Sequence, residues 1–329
     1  MGEWVPDVLG RPFEQRTLPL GRERDHDVVA TIVRYHRANG ILPGVARGVD
    51  VLYVHGWSDY FFQRELAEFW WRQGARFYAL DLRRYGRSLQ PGQTPGYIAD
   101  LSTYDQDIAA ALAAMEHSTQ SSAPSRRRLV LMGHSTGGLT LSLWAARHRG
   151  VASALVLNSP WLEFQTGPLG REVLQPLVDA HARVAPRGRM PAVDLGFYTR
   201  TVSAAREGEW EYDLAWRPER GFALHPAWLA AVFAGHQRVA NGLDLDIPVY
   251  TMLSARSAIA VAWSEAMRHS DVVLDVGEIA ERSTRLGSRV TIERFDGALH
   301  DILLSEKSVR QRAYDQLRRW LPYALRGSS

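Results

Sequence analysis

The stretch LVLMGHSTGGLTLSLWAARH (129–148) carries the residues best placed to do chemistry. An apolar run leads into Gly133, Ser135 and Gly137 at alternate positions, and a helix-like pattern without an interior proline follows. That order predicts a strand turning sharply into a helix, with glycine two residues either side of the serine because a side chain there would strike the neighbouring backbone. The turn lifts the serine clear of the sheet. It also sets the amide of Thr136 at a helix N-terminus, where unpaired N–H groups and the helix dipole favour a developing negative charge. Ser135 is therefore a candidate nucleophile.

A serine hydroxyl attacks only when a base takes its proton, and that base is ordinarily a histidine held by a carboxylate. Of eleven histidines, His300 in VTIERFDGALHDILLS alone follows a late strand and a glycine turn and stands before the last helical pattern. His117, His148, His181, His225, His236 and His269 fall in helical or irregular segments and read as surface or packing residues. A second signal is VLYVHGWSDYF, where His55 and Gly56 follow an apolar run. Gly56 lets the backbone bend so that the Trp57 amide faces the same cavity as that of Thr136, while His55 reads as a loop support. Two such donors on an oxyanion are worth roughly 3 kcal/mol each in a transition state.

Strands and helices must alternate to hold these groups together. FEQRTLPL (13–20) and DVVATIVRYHR (27–37), with Gly21 between them, predict an antiparallel start. Apolar runs then predict strands at DVLYVHG, ARFYALDLR, RRLVLMG, ASALVLN, IPVYTML and SRVTIERF. Between them lie helical patterns at FFQRELAEFWWRQG, LSTYDQDIAAALAAMEH and GGLTLSLWAARH. A closing helix places Val309, Ala313, Leu317, Trp320 and Leu321 on one face. STQSSAPS (118–125) reads as a polar loop, and the run Arg126 to Arg128 as a solvated loop end or an anion-facing patch. The expected fold is α/β: a mostly parallel sheet of about eight strands with helices on both faces. Residues 161–243 break the rhythm with many aromatics among prolines and arginines, and read as a lid inserted between two halves of a core, 1–160 and 244–329.

Composition narrows the function classes. With 46% hydrophobic and 23% charged residues, the chain belongs with globular proteins. A net charge of +3, with Lys307 the only lysine, does not argue for nucleic acid. No cysteine is present, which excludes disulfides, thiolate chemistry and cysteine-held metals. The start MGEWVPDVLG lacks a secretory pattern, Pro6 stands where myristoylation wants Ser or Thr, and no apolar run approaches a membrane span; a cytoplasmic enzyme is expected.

The pieces HGWSDY, DLRRYGRS, GHSTGG and GALHD, in that order across most of the chain, resemble the α/β-hydrolases, in particular the branch of monoacylglycerol lipases, lysophospholipases and serine aminopeptidase-like hydrolases. The resemblance implies a serine hydrolase with Ser135 and His300, an oxyanion hole at Trp57 and Thr136, support from Gly133, Gly137, His55 and Gly56, and no metal or organic cofactor. One part departs from the family: in LSARSAIAVAW, Arg256 and Ser257 stand where its acid is expected. The next acids are Glu265, Asp271 and Asp275. Asp271 fits best, since SDVVLDV resembles the family's acid followed by aliphatics and lies 29 residues before His300, with Ala258 to Ser270 as an insertion. Asp271 could alternatively cap the following helix, with Asp275 or Glu265, or no carboxylate, completing the triad.

The aromatic lid suggests an apolar acyl ester as substrate, such as a monoacylglycerol or lysophospholipid, with lipid contact through the lid. An aminopeptidase would use Glu207, Glu209 and Glu211 for a free amine, and a non-catalytic binding protein of the same fold is the third reading. A haloalkane dehalogenase would need an aspartate at position 135.

Overall fold

Strands β1 (Val5–Pro6), β2 (Phe13–Glu23), β3 (His26–Tyr35), β4 (Val49–Val54), β5 (Arg76–Asp81), β6 (Arg128–His134), β7 (Ala152–Asn158), β8 (Val249–Ser254) and β9 (Val290–Phe295) form one sheet in the order β1-β2-β3-β5-β4-β6-β7-β8-β9. The computed structural model describes residues 2–23, 26–37, 42–117, 127–165, 167–190 and 195–326; STQSSAPS and Arg126 lie outside them. From β5 onward every neighbouring pair is parallel, while β1, β2 and β3 add antiparallel. The ninth strand, beyond the expected eight, is the two-residue β1 on the edge. Gly21 does not divide the first two long strands as expected. At φ +97° it sits within β2, where the pairing with β3 shifts between Pro19 and Arg22, as a glycine bulge does.

The strands alternate between two apolar cores, one on each face. Leu52 and Val54 of β4 enter one core with Ile108 of α2 (Tyr104–Ala114) and Leu139 of α3 (Thr136–Arg147). Val51 and Tyr53 enter the other with Trp70 of α1 (Arg64–Arg72). A period of two on a sheet covered on both faces therefore reads as a continuous apolar run. The predicted face of the last helix, Val309, Ala313, Leu317, Trp320 and Leu321, is buried in that second core.

Helix α1 begins three residues later than FFQRELAEFWWRQG suggests. The Phe61 amide donates to Asp81 Oδ1 (3.0 Å) and that of Phe62 to Gln63 Oε1 (3.2 Å), so side chains satisfy these donors instead of a helical turn. Arg127 and Arg128 form neither a solvated end nor an anion patch. Arg127 bonds the fully buried Asp50 (2.6 Å), with Arg76 and His117, and Arg128 bonds the Leu325 carbonyl. Burial pushes the Asp50 carboxyl up, but hydrogen bonds from His117, Arg76 and Arg127 hold it well below the usual carboxylate range.

Between β7 and β8 the chain leaves the sheet and builds α4 (Gly167–Val184), α5 (Phe197–Val202) and α6 (Pro226–Ala240). The remaining helices, α7 (Val276–Ser283) and α8 (Lys307–Arg326), follow β8 and β9. No helix of the described residues is long and apolar enough to cross a membrane.

Candidate active site

The residues singled out from the sequence lie after the carboxyl ends of neighbouring parallel strands, the usual place for a site in an open α/β sheet. Ser135 follows β6 at φ 50° and ψ −118°, a left-handed backbone that costs a non-glycine residue about 1–3 kcal/mol. Its amide donates to the Asn158 carbonyl of β7 (3.0 Å), and its own carbonyl accepts from Gly138, Leu139 and Trp161. These bonds hold the corner against relaxation. Because the Ser135 carbonyl points along α3, the amide of Thr136 in the same trans peptide points the opposite way, out of the helix start. Neither that amide nor that of Trp57 donates to an acceptor among the described residues.

The glycines are dictated by close approach. A Cβ on Gly133 would stand 2.7 Å from Gly137 and Gly138, and one on Gly137 would stand 2.3 Å from the His55 carbonyl oxygen. Gly138, which the motif reading left aside, has the same constraint against Pro160 (2.7 Å). The start of α3 thus packs onto the end of β4, and a Cβ on Gly56 would lie 3.0 Å from the Ser135 Cβ. Gly137→Ala is expected to cost more than about 3 kcal/mol or to prevent folding, since it drives a methyl into two strand carbonyls that cannot withdraw. Urea unfolding of the variant checks this; a loss below 1 kcal/mol would show that the corner yields.

His300, 2% exposed, donates from Nδ1 to Asp271 Oδ2 at 2.9 Å. The other carboxylate oxygen of Asp271 accepts from the amides of Val273 and Leu274, both at 2.8 Å. With Nδ1 so engaged, the lone pair of His300 sits on Nε2. The His300 ring lies 4.9 Å, between centroids, from that of His134, the residue before Ser135. No hydrogen bond joins Ser135 Oγ to His300 in this state, an arrangement common before substrate tightens such a site.

Asp271 reaches this position through a detour. Residues 258–270 loop out, and Asp271 returns beside Ser257: its amide donates to the Arg256 carbonyl (2.9 Å) and its carbonyl accepts from Ala258 (2.7 Å). The excursion returns a carboxylate to the end of β8, although the residues there are Arg256 and Ser257. The helix cap is Asp275, exposed and accepting from Gly277 and Glu278 at the start of α7. Glu265 is exposed and pairs with Arg268 (2.7 Å).

His55 ties two loops: Nδ1 donates to the Gly56 carbonyl (2.8 Å) and Nε2 accepts from the Leu82 amide (3.1 Å). Burial pushes His134 below its ordinary value, against the opposing pull of the hydrogen bond from its Nδ1 to the Asn158 carbonyl (3.0 Å). A network the sequence reading missed lies beneath. Asn158 donates to Asp301 Oδ1 (2.6 Å), and Gln63 joins Asp301 to the Tyr53 hydroxyl. It links Tyr53 of β4 and Asn158 of β7 to Asp301 in the turn that follows β9, and its one visible signal was an asparagine ending the apolar run ASALVL. Of the acids considered for an amine, Glu207 is held by Arg200 (2.8 Å), Glu209 by Arg310 (2.8 Å), and Glu211 is exposed. Among the described residues no group of three or more His, Cys, Asp or Glu could hold a metal ion.

A sheet of this order, with a strand–serine–helix corner at its centre, defines an α/β-hydrolase fold. The family of serine aminopeptidase, S33, matches residues 47–242, more than half of the chain. The chain belongs to that hydrolase family. It is 35% identical over 124 residues to the monoacylglycerol lipase of Mycolicibacterium smegmatis, a match spanning 37% of this chain and 40% of that relative's length. Its structure is similar to a soluble variant of monoglyceride lipase from Saccharomyces cerevisiae solved with a substrate analog, with TM-score 0.65, 16% identity, and 97% and 98% of the two chains covered. The monoacylglycerol lipase of Paleococcus ferrophilus is similar at TM-score 0.62 and 18% identity, over 84% of this chain and 94% of that one. At these identities the structural likeness is one of fold.

Proposed function

We propose that the protein is a serine hydrolase that cleaves carboxylic esters of apolar acyl chains through an acyl-enzyme. The buried His300–Asp271 hydrogen bond beside the strained Ser135 corner carries this reading. His300 Nε2 takes the proton of Ser135, whose Oγ attacks the ester carbonyl, and the amides of Trp57 and Thr136 receive the oxyanion. The proton then passes from His300 to the leaving alcohol. Water, deprotonated by the same imidazole, releases the acid and restores Ser135. Asp271 keeps the proton on Nδ1 and stabilises the imidazolium.

An ester is favoured over an aminoacyl substrate because Glu207 and Glu209 already have arginine partners, while the covering segment itself contributes Trp161, Phe222, Trp228 and Phe233 to the apolar packing over the sheet. Residues 161–243 act as the lid. Ser135 is only 7% exposed, so this segment must shift to admit substrate. Leu169, Val173 and Leu177, spaced four apart and largely exposed on α4, support contact with lipid. The named relatives, monoacylglycerol lipases, make a monoacylglycerol or lysophospholipid the first choice of ester.

The test is labelling by a serine-directed fluorophosphonate, with mapping of the adduct, followed by p-nitrophenyl esters of increasing chain length beside an aminoacyl p-nitroanilide. The expected result is one adduct on Ser135 and preference for esters. An adduct elsewhere removes the mechanism, and faster turnover of the aminoacyl compound makes the protein a peptidase.

A further inference from the structure

After β4, Trp57 and Asp59 are held from outside the sheet, on either side of Ser58. The Trp57 ring lies 3.8 Å from that of Trp228 and 5.9 Å from that of Phe222. Ser58 has φ 51°, left-handed for a non-glycine residue, and its buried hydroxyl has no partner. Asp59, 3% exposed, has its Oδ1 3.2 Å from Nε of Arg217, itself 3% exposed, an ion pair without hydrogen-bond geometry. Trp228, Phe222 and Arg217 all belong to residues 161–243. The next residue repeats the pattern, since the Tyr60 hydroxyl accepts from the Asp213 amide (2.8 Å) and its ring meets Trp216 edge-on.

A buried ion pair is a poor device for stability, because apolar side chains of similar volume often do as well. The two opposite charges do hold each other in place away from water, and Arg217 is itself packed against the rings of Tyr212 (4.6 Å) and Tyr198 (5.0 Å). A strained residue such as Ser58 keeps its backbone only where both neighbours are over-determined. The Trp57 N–H lies in the 56–57 peptide, so a fixed Ser58 bears on its direction from the far side of the Trp57 Cα, by holding the 57–58 peptide; that direction matters only if the amide meets developing charge.

We propose that Arg217 is a positioning residue for the oxyanion side of the site: by holding Asp59 it fixes the peptide that aims the Trp57 amide at the substrate. The covering segment then completes the oxyanion hole as well as shielding it, so the hole is assembled only when that segment is closed. This inference rests on the acyl-transfer function proposed above.

The test measures kcat per fluorophosphonate-titrated site, KM, and the affinity of an alkylboronic acid, whose serine adduct is tetrahedral like the transition state. For Arg217→Met, kcat is expected to fall about 10- to 100-fold with KM nearly unchanged, and boronate affinity to fall by the same factor. Arg217→Lys should recover part of the loss. Asp59→Asn should match Arg217→Met, and the double variant, which leaves no unpaired charge, should be no worse than either. Wild-type kcat per titrated site and unchanged boronate affinity in Arg217→Met or in the double variant, whatever the melting temperature, would overturn the proposal. So would losses that multiply. Absence of labelling in the wild type is a separate result, which removes the hydrolase function itself.

Discussion

Replacing Ser135 by alanine is expected to lower kcat for p-nitrophenyl butyrate by roughly 10⁴-fold or more, with the fold retained. Alanine bears the same left-handed cost at φ 50° as serine, and the bonds that hold the corner are all backbone: Asn158 accepts its amide proton, and Gly138, Leu139 and Trp161 donate to its carbonyl. The substitution therefore removes the attacking oxygen and leaves the amides of Trp57 and Thr136 where they are. Any residual rate reports what those donors and binding alone supply. Equal rates in the two proteins would instead favour a binding protein of this fold.

The second large effect separates the carboxylates. In Asp271→Asn, the amide oxygen can still accept from Val273 and Leu274, which turns the NH₂ group toward His300 Nδ1. Two donors cannot face each other, so the imidazole is driven to the tautomer that carries its proton on Nε2 and loses its basic lone pair toward Ser135. A loss of about 10⁴-fold in kcat with little change in stability is expected. Asp275→Ala should do the converse: kcat unchanged, and about 1 kcal/mol of stability lost because Gly277 and Glu278 lose their cap. Steady-state kinetics and urea unfolding on both variants decide it. If Asp275→Ala abolished turnover while Asp271→Asn kept it, the acid has been misassigned.

Much of the strand–serine–helix corner was legible because its causes are local. Gly133 and Gly137 flank the serine at the spacing a cramped turn demands, and the contacts that forbid a Cβ there come from the turn and the strand beside it. The parallel strands were legible for the same reason, each being an apolar run bounded by turn residues. Gly138 could not be read this way, since its constraint is Pro160, 22 residues further on and brought close by the path of the chain after β7.

The acid shows where that legibility stops. SDVVLDV offers two aspartates four residues apart, and either could have capped a helix or faced the histidine. The resemblance favours Asp271 and reads Ala258 to Ser270 as an insertion, but it is the pairing of Asp271 with Arg256 and Ala258 that returns this carboxylate to the histidine. The Arg217–Asp59 pair joins residues 158 apart in sequence and leaves no trace in composition or periodicity.

By itself, the order of residues determined the alternation of strands and helices, the sharp turn at Ser135 and the histidine near the end, because these depend on neighbours a few positions away. The tertiary structure brought Asp271, the acid the resemblance favours, against His300, and it alone decided which polar groups are paired off and how the covering segment grips the loop beside the serine. Each of those depends on burial, which removes water as a competing partner and so lets distant side chains select one another.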